Sequence, residues 1–385
     1  MKRLVSVLLT LLLATVPLAG RAADPFEIHV IIAVTGGGAF LAKDQQEVLS
    51  VLETQVNKSG GIRGRPIKFV IADDQSNPAV AVQLMNQAIA KNAQVVLGST
   101  LVAACSAMVP LVKDGPLLYC LSPGLHPDEG SYAFSSEPST NAAFVGTALY
   151  FARKGWHKVA LITSSDATGQ DATRGIDEAF KAQPTLQIVD RETFNVSDIT
   201  VAAQMTRIKA AGADAVIAWT TGPPIATVLR SFTDVGLSLP IVVGNGNMTF
   251  AQMKAYAGIL PKELLFPGFA ALAPDQLPNG VFKRRATEFK AALQSAGAKA
   301  ESGHVSAWDP ANIVLDAYRK LGFDATAAQL RSYVAGLRGW VGADGTYDFK
   351  TVPQRGVDAG SIMMIRWDPT RENWLGVSKP GGEPL

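Results

Sequence analysis

Short apolar runs alternate with longer amphipathic segments through most of the chain. Residues 67–71, 95–97 and 117–121 are mostly apolar, whereas the segments between them carry an apolar residue at every third or fourth position. Short apolar runs are typical of buried strands, and the longer segments are typical of helices that cover a sheet. The order strand–helix–strand–helix–strand therefore predicts a parallel β-sheet with helices on its faces.

The same order of elements is predicted twice. In the first copy, a strand at residues 27–34 is followed by a helix at about 43–57, whose apolar residues fall on one face. The second copy begins with a strand after His157, and the segment 199–222 repeats the helix–turn–strand rhythm of 79–100. This matching order predicts an α/β protein made of two doubly wound, parallel-sheet units.

The last third of the chain does not continue this repeat. Its pattern predicts three helices and then two late strands, which are too few elements for a third domain. We expect the helices to cover the first unit and the last strands to join the second. The predicted helices lie near residues 282–294, 307–321 and 327–336, and the predicted strands at 345–350 and 361–368.

Chain length also predicts two domains, because 385 residues exceed what one hydrophobic core usually supports. We expect a first lobe formed by residues 24–137 and 270–345, and a second lobe formed by 138–269 and 346–385. Charged residues make up 18% of the chain, and the formal net charge is +2 without a polybasic block. This balance gives no support for a nucleic-acid partner.

The first 22 residues have the features of a secretory signal peptide. Lys2 and Arg3 precede the apolar run 4–18, and small residues follow it, so cleavage is expected after Ala22 or Ala23. The run is shorter than the roughly 20 residues that span a bilayer. We therefore predict an exported protein, located in the periplasm after cleavage.

The two cysteines allow two interpretations. Cys105 lies on a predicted helix and Cys120 on the strand that follows it, so the two side chains are possible neighbours. In an exported protein they can form a disulfide bond, or they can be two buried thiols that pack as small apolar groups. Two cysteines alone do not predict a metal site.

Catalytic signatures are missing from the sequence. It contains no G-x-S-x-G, H-E-x-x-H, Walker or C-x-x-C motif. The glycines at 36–38 match part of a dinucleotide fingerprint, but Leu41 stands where its third glycine would be. That turn can hold a ligand carboxylate with backbone N–H groups or can simply be tight. We expect no enzymatic activity, no cofactor and no metal.

Small polar residues follow many of the predicted strands. In open α/β sheets, ligands bind just beyond the carboxyl ends of the strands. Each such residue can instead cap the helix that follows it. Loops of this kind from two similar halves that face one another favour a shared binding cleft. The polar loop residues are Ser99, Thr100, His126, Thr168, Thr220, Thr221, Asn245 and Asn247, with Gly124 and Gly246 beside them.

These motifs give the chain a family resemblance. The stretch NKSGGIRGRPIKFVIADD, the loops VVLGST and LSPG, and the stretch TDVGLSLPIVVG resemble type I periplasmic solute-binding proteins of ABC transporters, in the leucine/isoleucine/valine-binding branch. The resemblance covers nearly the whole mature chain. It implies two lobes joined by a multi-crossover hinge, a ligand trapped by hinge closure, an inner-membrane ABC permease as partner and a monomeric binding protein.

The resemblance places the carboxylate-holding loops at residues 99–102 and 124–126. Three positions depart from the amino-acid binders of this family: Val102 replaces a serine or threonine, His126 a threonine and Thr168 a tyrosine. The acidic residue that would hold an α-ammonium near the turn 245–247 is also absent from the sequence there.

These departures lead to a hypothesis about the ligand. An ammonium group closed off from water without a countercharge costs several kcal/mol. We therefore expect a small carboxylate without an amine, with an aromatic or hydroxylated body. A branched-chain or other amino acid, a sensor ligand that feeds a regulator, and an exported hydrolase remain alternatives.

The predicted ligand-binding residues come from both halves of the chain. His126 would assist the carboxylate and Phe40 would pack on a ring, although each is equally consistent with an ordinary loop or core residue. The full predicted set is Phe40, Ser99, Thr100, Val102, Gly124, His126, Thr168, Thr221, Asn245 and Gly246.

Overall fold

The computed structural model describes residues 24–385 as an α/β protein with two main sheets. The predicted signal peptide lies outside the described residues. The first sheet contains β1 (Phe26–Ile32), β2 (Ile67–Asp73), β3 (Val95–Leu97), β4 (Leu117–Cys120) and β5 (Ala133–Ser135). The second contains β6 (Lys158–Ser164), β7 (Gln187–Phe194), β8 (Ala215–Trp219), β9 (Ile241–Val243), β10 (Leu264–Phe269), β13 (Ile362–Asp368) and β14 (Asn373–Gly376). A separate pair is formed by β11 (Arg338–Val341) and β12 (Thr346–Asp348).

The two main sheets share one topology. The first has the order β2-β1-β3-β4-β5, and the second contains β7-β6-β8-β9-β10, which is the same order in its own numbering. All pairs in these two five-strand units are parallel. The predicted pair of doubly wound lobes is therefore confirmed. The second sheet continues with β13 and β14, which are antiparallel.

Helices cover the faces of both sheets. The first five along the chain are α1 (Ala39–Lys58), α2 (Pro78–Ala90), α3 (Val102–Met108), α4 (Thr140–Lys154) and α5 (Ala167–Lys181). The others are α6 (Ala202–Ala210), α7 (Pro224–Asp234), α8 (Phe250–Ala255), α9 (Val281–Ser295), α10 (Ser302–Leu321) and α11 (Ala327–Gly336). Within residues 24–385, no helix combines the length and the apolar character needed to cross a membrane.

The helix α1 shows how the sequence pattern produces the core. Its apolar face (Val48, Leu49, Leu52 and Val56) is buried, as the periodicity predicts. This helix packs along α10, which follows it by more than 240 residues in the chain. The chain thus returns from the second sheet to the first lobe at α10. It then goes back to the second sheet, where β13 pairs with β10. The lobe boundaries given above remain a prediction.

Several strands differ from the sequence analysis. No strand was predicted at β5, β10, β11 or β14, and β10 contains Pro267. Proline cannot donate a ladder hydrogen bond, so it argues against an interior strand. The expectation that the strand near residues 345–350 joins the second sheet was wrong: β12 pairs with β11 instead. Strand patterns indicate burial but do not specify a partner.

Candidate functional site

A cavity lies between the carboxyl ends of the two sheets. It holds about 610 Å³ of empty space, a volume that includes the open solvent at its mouth. The first lobe contributes the loops after β3 and β4, and the second contributes those after β8 and β9 and the start of α5. The lining residues are Leu41, Thr100, Leu101, Val102, Leu121, Ser122, Pro123, Gly124, Glu137, Thr140, Thr168, Asp171, Trp219, Thr221, Gly244, Asn245, Gly246, Phe269, Ser302 and Ser306.

Most of the predicted binding residues line this cavity, and three do not. Ser99 is completely buried, and its hydroxyl accepts a hydrogen bond from the backbone N–H of Leu101 at 3.2 Å. Phe40 and His126 lie beside the cavity and contact the other lobe. That these residues bind a ligand remains a prediction. The seven that line the cavity are Thr100, Val102, Gly124, Thr168, Thr221, Asn245 and Gly246.

Phe40 packs against the second lobe. A Cβ atom at Gly222 would lie 3.0 Å from Cε1 of Phe40, so the ring already occupies the space beside this glycine. Gly222 has a φ of +86°, a conformation that glycine adopts without strain. The aromatic ring therefore joins the first turn of α1 to the loop after β8.

His126 makes a polar contact between the lobes. Its Nε2 donates a hydrogen bond to Oδ1 of Asp171, at 2.7 Å, and Arg174 approaches the same oxygen at 3.3 Å. The His126 side chain is half exposed, whereas Asp171 is only 3% exposed. Although burial alone raises the pKa of Asp171, the hydrogen bond from His126, the nearby hydroxyl of Thr140 and the positive charge of Arg174 hold that pKa below its usual value. Asp171 is therefore ionised at neutral pH.

Glu137 is an acidic cavity residue that sequence reasoning missed. It follows β5, has a φ of +65° and is 5% exposed. Its Oε2 accepts a hydrogen bond from Nδ2 of Asn245 at 3.3 Å. The sequence has no acidic residue at the turn 245–247, but Glu137 reaches this turn from 108 residues away.

The ionisation state of Glu137 limits what it can bind. Burial raises its pKa to about 8, although Arg355 and the hydrogen bond from Asn245 act in the opposite direction. At neutral pH this carboxyl group is protonated in most of the protein molecules. It can therefore donate a hydrogen bond as well as accept one. It does not provide the full countercharge that an ammonium group needs.

Arg355 lies behind the cavity wall and ties three chain segments together. Its side chain is buried, and it lies in the connection between β12 and β13. It donates hydrogen bonds to four backbone carbonyls, which belong to the loop after β4 and to the first crossing between the lobes. These carbonyls are those of Pro123, Leu125, Ser136 and Glu137.

Of the two interpretations of the cysteines, the structure contains the disulfide bond. Cys105 and Cys120 are bonded to each other, with 6.1 Å between their Cα atoms. The bond joins α3 to β4. Residues 100–102 at the start of α3 and residues 121–124 after β4 line the cavity, so the bond lies directly beneath two of its walls.

The apolar wall and the hydroxyl groups of α10 were also missed. Leu41, Leu121, Trp219 and Phe269 are large apolar residues of its lining, and the ring of Trp219 lies 4.5 Å from that of Phe144 between centroids. Nothing in a strand or loop pattern marks Ser302 and Ser306 as cavity residues, because only the return of the chain to the first lobe brings α10 there.

Unpaired polar atoms indicate the chemistry of the cavity. Three buried atoms on its lining residues have no hydrogen bond of ordinary geometry: Oγ1 of Thr100, Oγ of Ser122 and Oδ2 of Asp171. Buried polar groups are normally paired, so these atoms call for a ligand or water. Two hydroxyl groups can donate to a carboxylate, and the ionised oxygen can accept from a donor. Among residues 24–385, no cluster of three or more side chains has the composition of a metal site.

The sequence and the fold resemble those of known proteins. A family model described as periplasmic binding protein matches residues 25–370. A curated relative from Brucella melitensis, "Leu/Ile/Val-binding protein homolog 3", is 23% identical over 242 residues, covering 60% of this chain and 64% of that protein.

Two solved structures share the fold. One is the branched-chain amino acid transporter substrate binding protein LivJ from Streptococcus pneumoniae in complex with isoleucine, with a TM-score of 0.76, 18% identity and coverage of 92% of this chain and 99% of that one. The other is a solute binding protein of an ABC transporter from Rhodopseudomonas palustris in complex with 3,4-dihydroxy benzoic acid, with a TM-score of 0.75, 19% identity and coverage of 92% and 96%. At these identities the likeness concerns the fold alone.

Proposed function

Because the chain belongs to the periplasmic binding protein family, we propose that it is the extracytoplasmic solute-binding component of an ABC importer. It captures a small organic acid between its lobes and delivers it to an inner-membrane permease without changing it chemically. Closure of the lobes about the hinge holds the solute, since the closed form makes contacts with it that the open form lacks.

The observation that carries this proposal is the composition of the cavity. Unpaired hydroxyl groups of Thr100 and Ser122 come from the first lobe, and both lobes contribute apolar side chains, Trp219 among those of the second. A cavity with a few polar groups and a largely apolar lining is typical of a site for a small organic molecule. The hydroxyl groups suit a carboxylate, and the apolar wall suits an aromatic body.

Glu137 favours an acid without an amine. A protonated carboxyl group donates a hydrogen bond to a carboxylate ligand, whereas it gives an ammonium group no full countercharge. The similar protein from Rhodopseudomonas palustris, which was solved with an aromatic acid, is consistent with this ligand class.

A branched-chain amino acid is the second candidate, and Asp171 is the observation that favours it. This residue is ionised and buried, and its Oδ2 lacks an ordinary hydrogen bond. It can therefore accept a hydrogen bond from an α-ammonium group. The similar LivJ protein was solved with isoleucine.

Calorimetric titration of the ligand-free protein separates the two candidates. We expect 4-hydroxybenzoate or 3,4-dihydroxybenzoate to bind with a Kd below about 10 μM, which corresponds to about −7 kcal/mol, and L-leucine and L-isoleucine to bind more weakly. Tighter binding of leucine would replace the organic acid by the second candidate. If neither class binds, the proposed ligand class is wrong.

A pair of variants locates the binding site in the same titration. Thr100→Val keeps the shape of the side chain but removes the unpaired hydroxyl, and we expect about tenfold weaker binding. Thr206→Val makes the same change on the exposed face of α6, away from the cavity, and should leave the Kd unchanged. Equal affinities for both variants would place the solute elsewhere.

A further inference from the structure

Asp171 is built into the cavity differently from the hydroxyl groups around it. The residue lies on α5 of the second lobe, and its side chain is 3% exposed. Its two oxygens have different environments. Oδ1 is occupied by His126 at 2.7 Å and by Arg174 at 3.3 Å, whereas Oδ2 makes no hydrogen bond of ordinary geometry.

We propose that Asp171 is the specificity-determining residue that selects solutes carrying a hydrogen-bond donor, a hydroxyl or an ammonium group, in addition to their carboxylate. The inference rests on the proposed function and adds a second requirement to it. A carboxylate alone would not suffice for tight binding, because the buried oxygen of Asp171 would remain unpaired.

Gly124 keeps the space beside this oxygen open. A Cβ atom at Gly124 would lie 3.1 Å from Oδ2 of Asp171 and 2.7 Å from Cγ2 of Val102. Both distances are shorter than ordinary van der Waals contacts, so any larger residue would fill the gap between the loop after β4 and α5. The glycine is therefore needed for the approach to Asp171 and not for its backbone conformation, since its φ is not positive.

The charges around Asp171 keep it an acceptor. Burial alone raises the pKa of Asp171, but His126, Thr140 and Arg174 hold it below its usual value. An ionised carboxylate has no proton to donate, so its free oxygen can only accept. Hydrogen bonds to charged groups are about twice as strong as neutral ones, which makes this position sensitive to whether the solute supplies a donor.

The unpaired hydroxyl groups lie on the other lobe. Thr100 and Ser122 belong to the loops after β3 and β4, whereas Asp171 belongs to α5. A solute that carries both a carboxylate and a hydrogen-bond donor would satisfy both groups and join the lobes. Since an amino acid and a hydroxylated aromatic acid both carry these two groups, the inference holds for either source of the donor.

The test uses two pairs of solutes that differ only in the donor. The pairs are 4-hydroxybenzoate with benzoate, and L-leucine with 4-methylpentanoate. Calorimetry on the native protein should show at least tenfold tighter binding of the donor-bearing member in the pair that fits the cavity. In Asp171→Asn, which keeps the shape of the side chain but loses its charge, the difference should fall to about threefold or less.

Two further variants separate recognition from folding. Asp177→Asn removes a carboxylate from the exposed face of the same helix, where it pairs with Arg191, and should keep the full discrimination. Gly124→Ala leaves Asp171 intact but crowds its free oxygen, and should lose the discrimination as Asp171→Asn does. If Asp171→Asn unfolds, Gly124→Ala still tests whether the free oxygen of Asp171 recognises the donor of the solute.

The results test the role of Asp171 separately from the proposed function. If Asp171→Asn weakens both members of a pair equally, the variant still discriminates between them. Asp171 then has only a structural role, and the inference is wrong while the proposed function stands. If the native protein binds solutes of either pair without discrimination, the same conclusion follows. If it binds no member of either pair, the proposed ligand class fails and the inference fails with it.

Discussion

At the scale of single residues, the balance of burial and charge decides what each cavity side chain can do. Asp171 and Glu137 are both buried acids in one cavity, but their pKa values move in opposite directions. Burial dominates for Glu137, whereas His126, Thr140 and Arg174 outweigh it for Asp171. Two carboxyl groups of similar chemistry thus become a donor and an acceptor because their neighbours differ.

Glu137 makes a prediction about stability and pH. Its pKa is about 8 in the folded protein and 4.5 in an unfolded chain. Between these two values the unfolded chain releases a proton that the folded protein retains. The contribution of Glu137 to the free energy of unfolding is therefore fully present below pH 4.5 and is lost as the pH rises towards about 8.

The variant Glu137→Gln should remove this contribution. Its stability relative to the native protein should increase by at least about 1 kcal/mol between pH 5 and pH 8, as measured by urea unfolding at each pH. Glu129→Gln changes an exposed glutamate nearby and should show no such trend. A pH profile of Glu137→Gln that runs parallel to the native one would contradict the raised pKa.

At the scale of elements, short segments of the first lobe are held in place by covalent and polar ties. The strand β3 has three residues and α3 has seven, so neither is stable by itself. The disulfide between Cys105 and Cys120 joins α3 to β4 and holds the loops at 100–102 and 121–124 beside one another. Both loops line the cavity, so this tie serves the site as well as the core.

Removal of the disulfide should lower stability and loosen the site. The bonded cysteines are 15 residues apart, and cross-linking a loop of this length stabilises a fold by about 3 kcal/mol in the chain-entropy account. The variant Cys105→Ser/Cys120→Ser should therefore unfold at a lower urea concentration, and its solute Kd should rise. Reducing agent should shift the native protein in the same direction but leave the variant unchanged. Equal midpoints for the native protein and the variant would show that the bond contributes nothing.

At the scale of the whole molecule, contacts between the lobes surround the cavity. His126 pairs with Asp171, Phe40 packs beside Gly222, and Asn245 bonds to Glu137. Two of these three contacts are polar, and polar interfaces are typical of domains that move relative to one another. A solute that bridges the lobes would add to them and shift the population towards the closed form.

Loss of the contact at His126 should change this balance. In His126→Ala, the unliganded protein should be more open, with a larger radius of gyration by X-ray scattering than the native protein, and its solute Kd should rise about threefold to tenfold. Saturating solute should make the two proteins equally compact. His157→Ala, an exposed histidine before β6, is the matched control. If scattering shows one shape for all of these states, closure about a hinge is not how the protein binds.

Much of this architecture is determined by local sequence patterns. The alternation of apolar runs and amphipathic segments predicts the element order of both lobes, because the burial of each element depends on its own periodicity. Polar residues after the strands mark the loops of the cavity, and Thr100, Gly124, Thr168 and Asn245 do line it. The family resemblance adds the hinge between the two units.

Only the tertiary structure decided which distant residues meet. Glu137 reaches Asn245 across 108 residues, and His126 reaches Asp171 across 45. The pairing of β12 with β11 and the arrival of α10 at the cavity depend on the same long-range packing. A periodic pattern states that a residue is buried, but its charge and its partners depend on the elements that pack against it. For this reason the sequence determined the frame of the site, and the fold determined its chemistry.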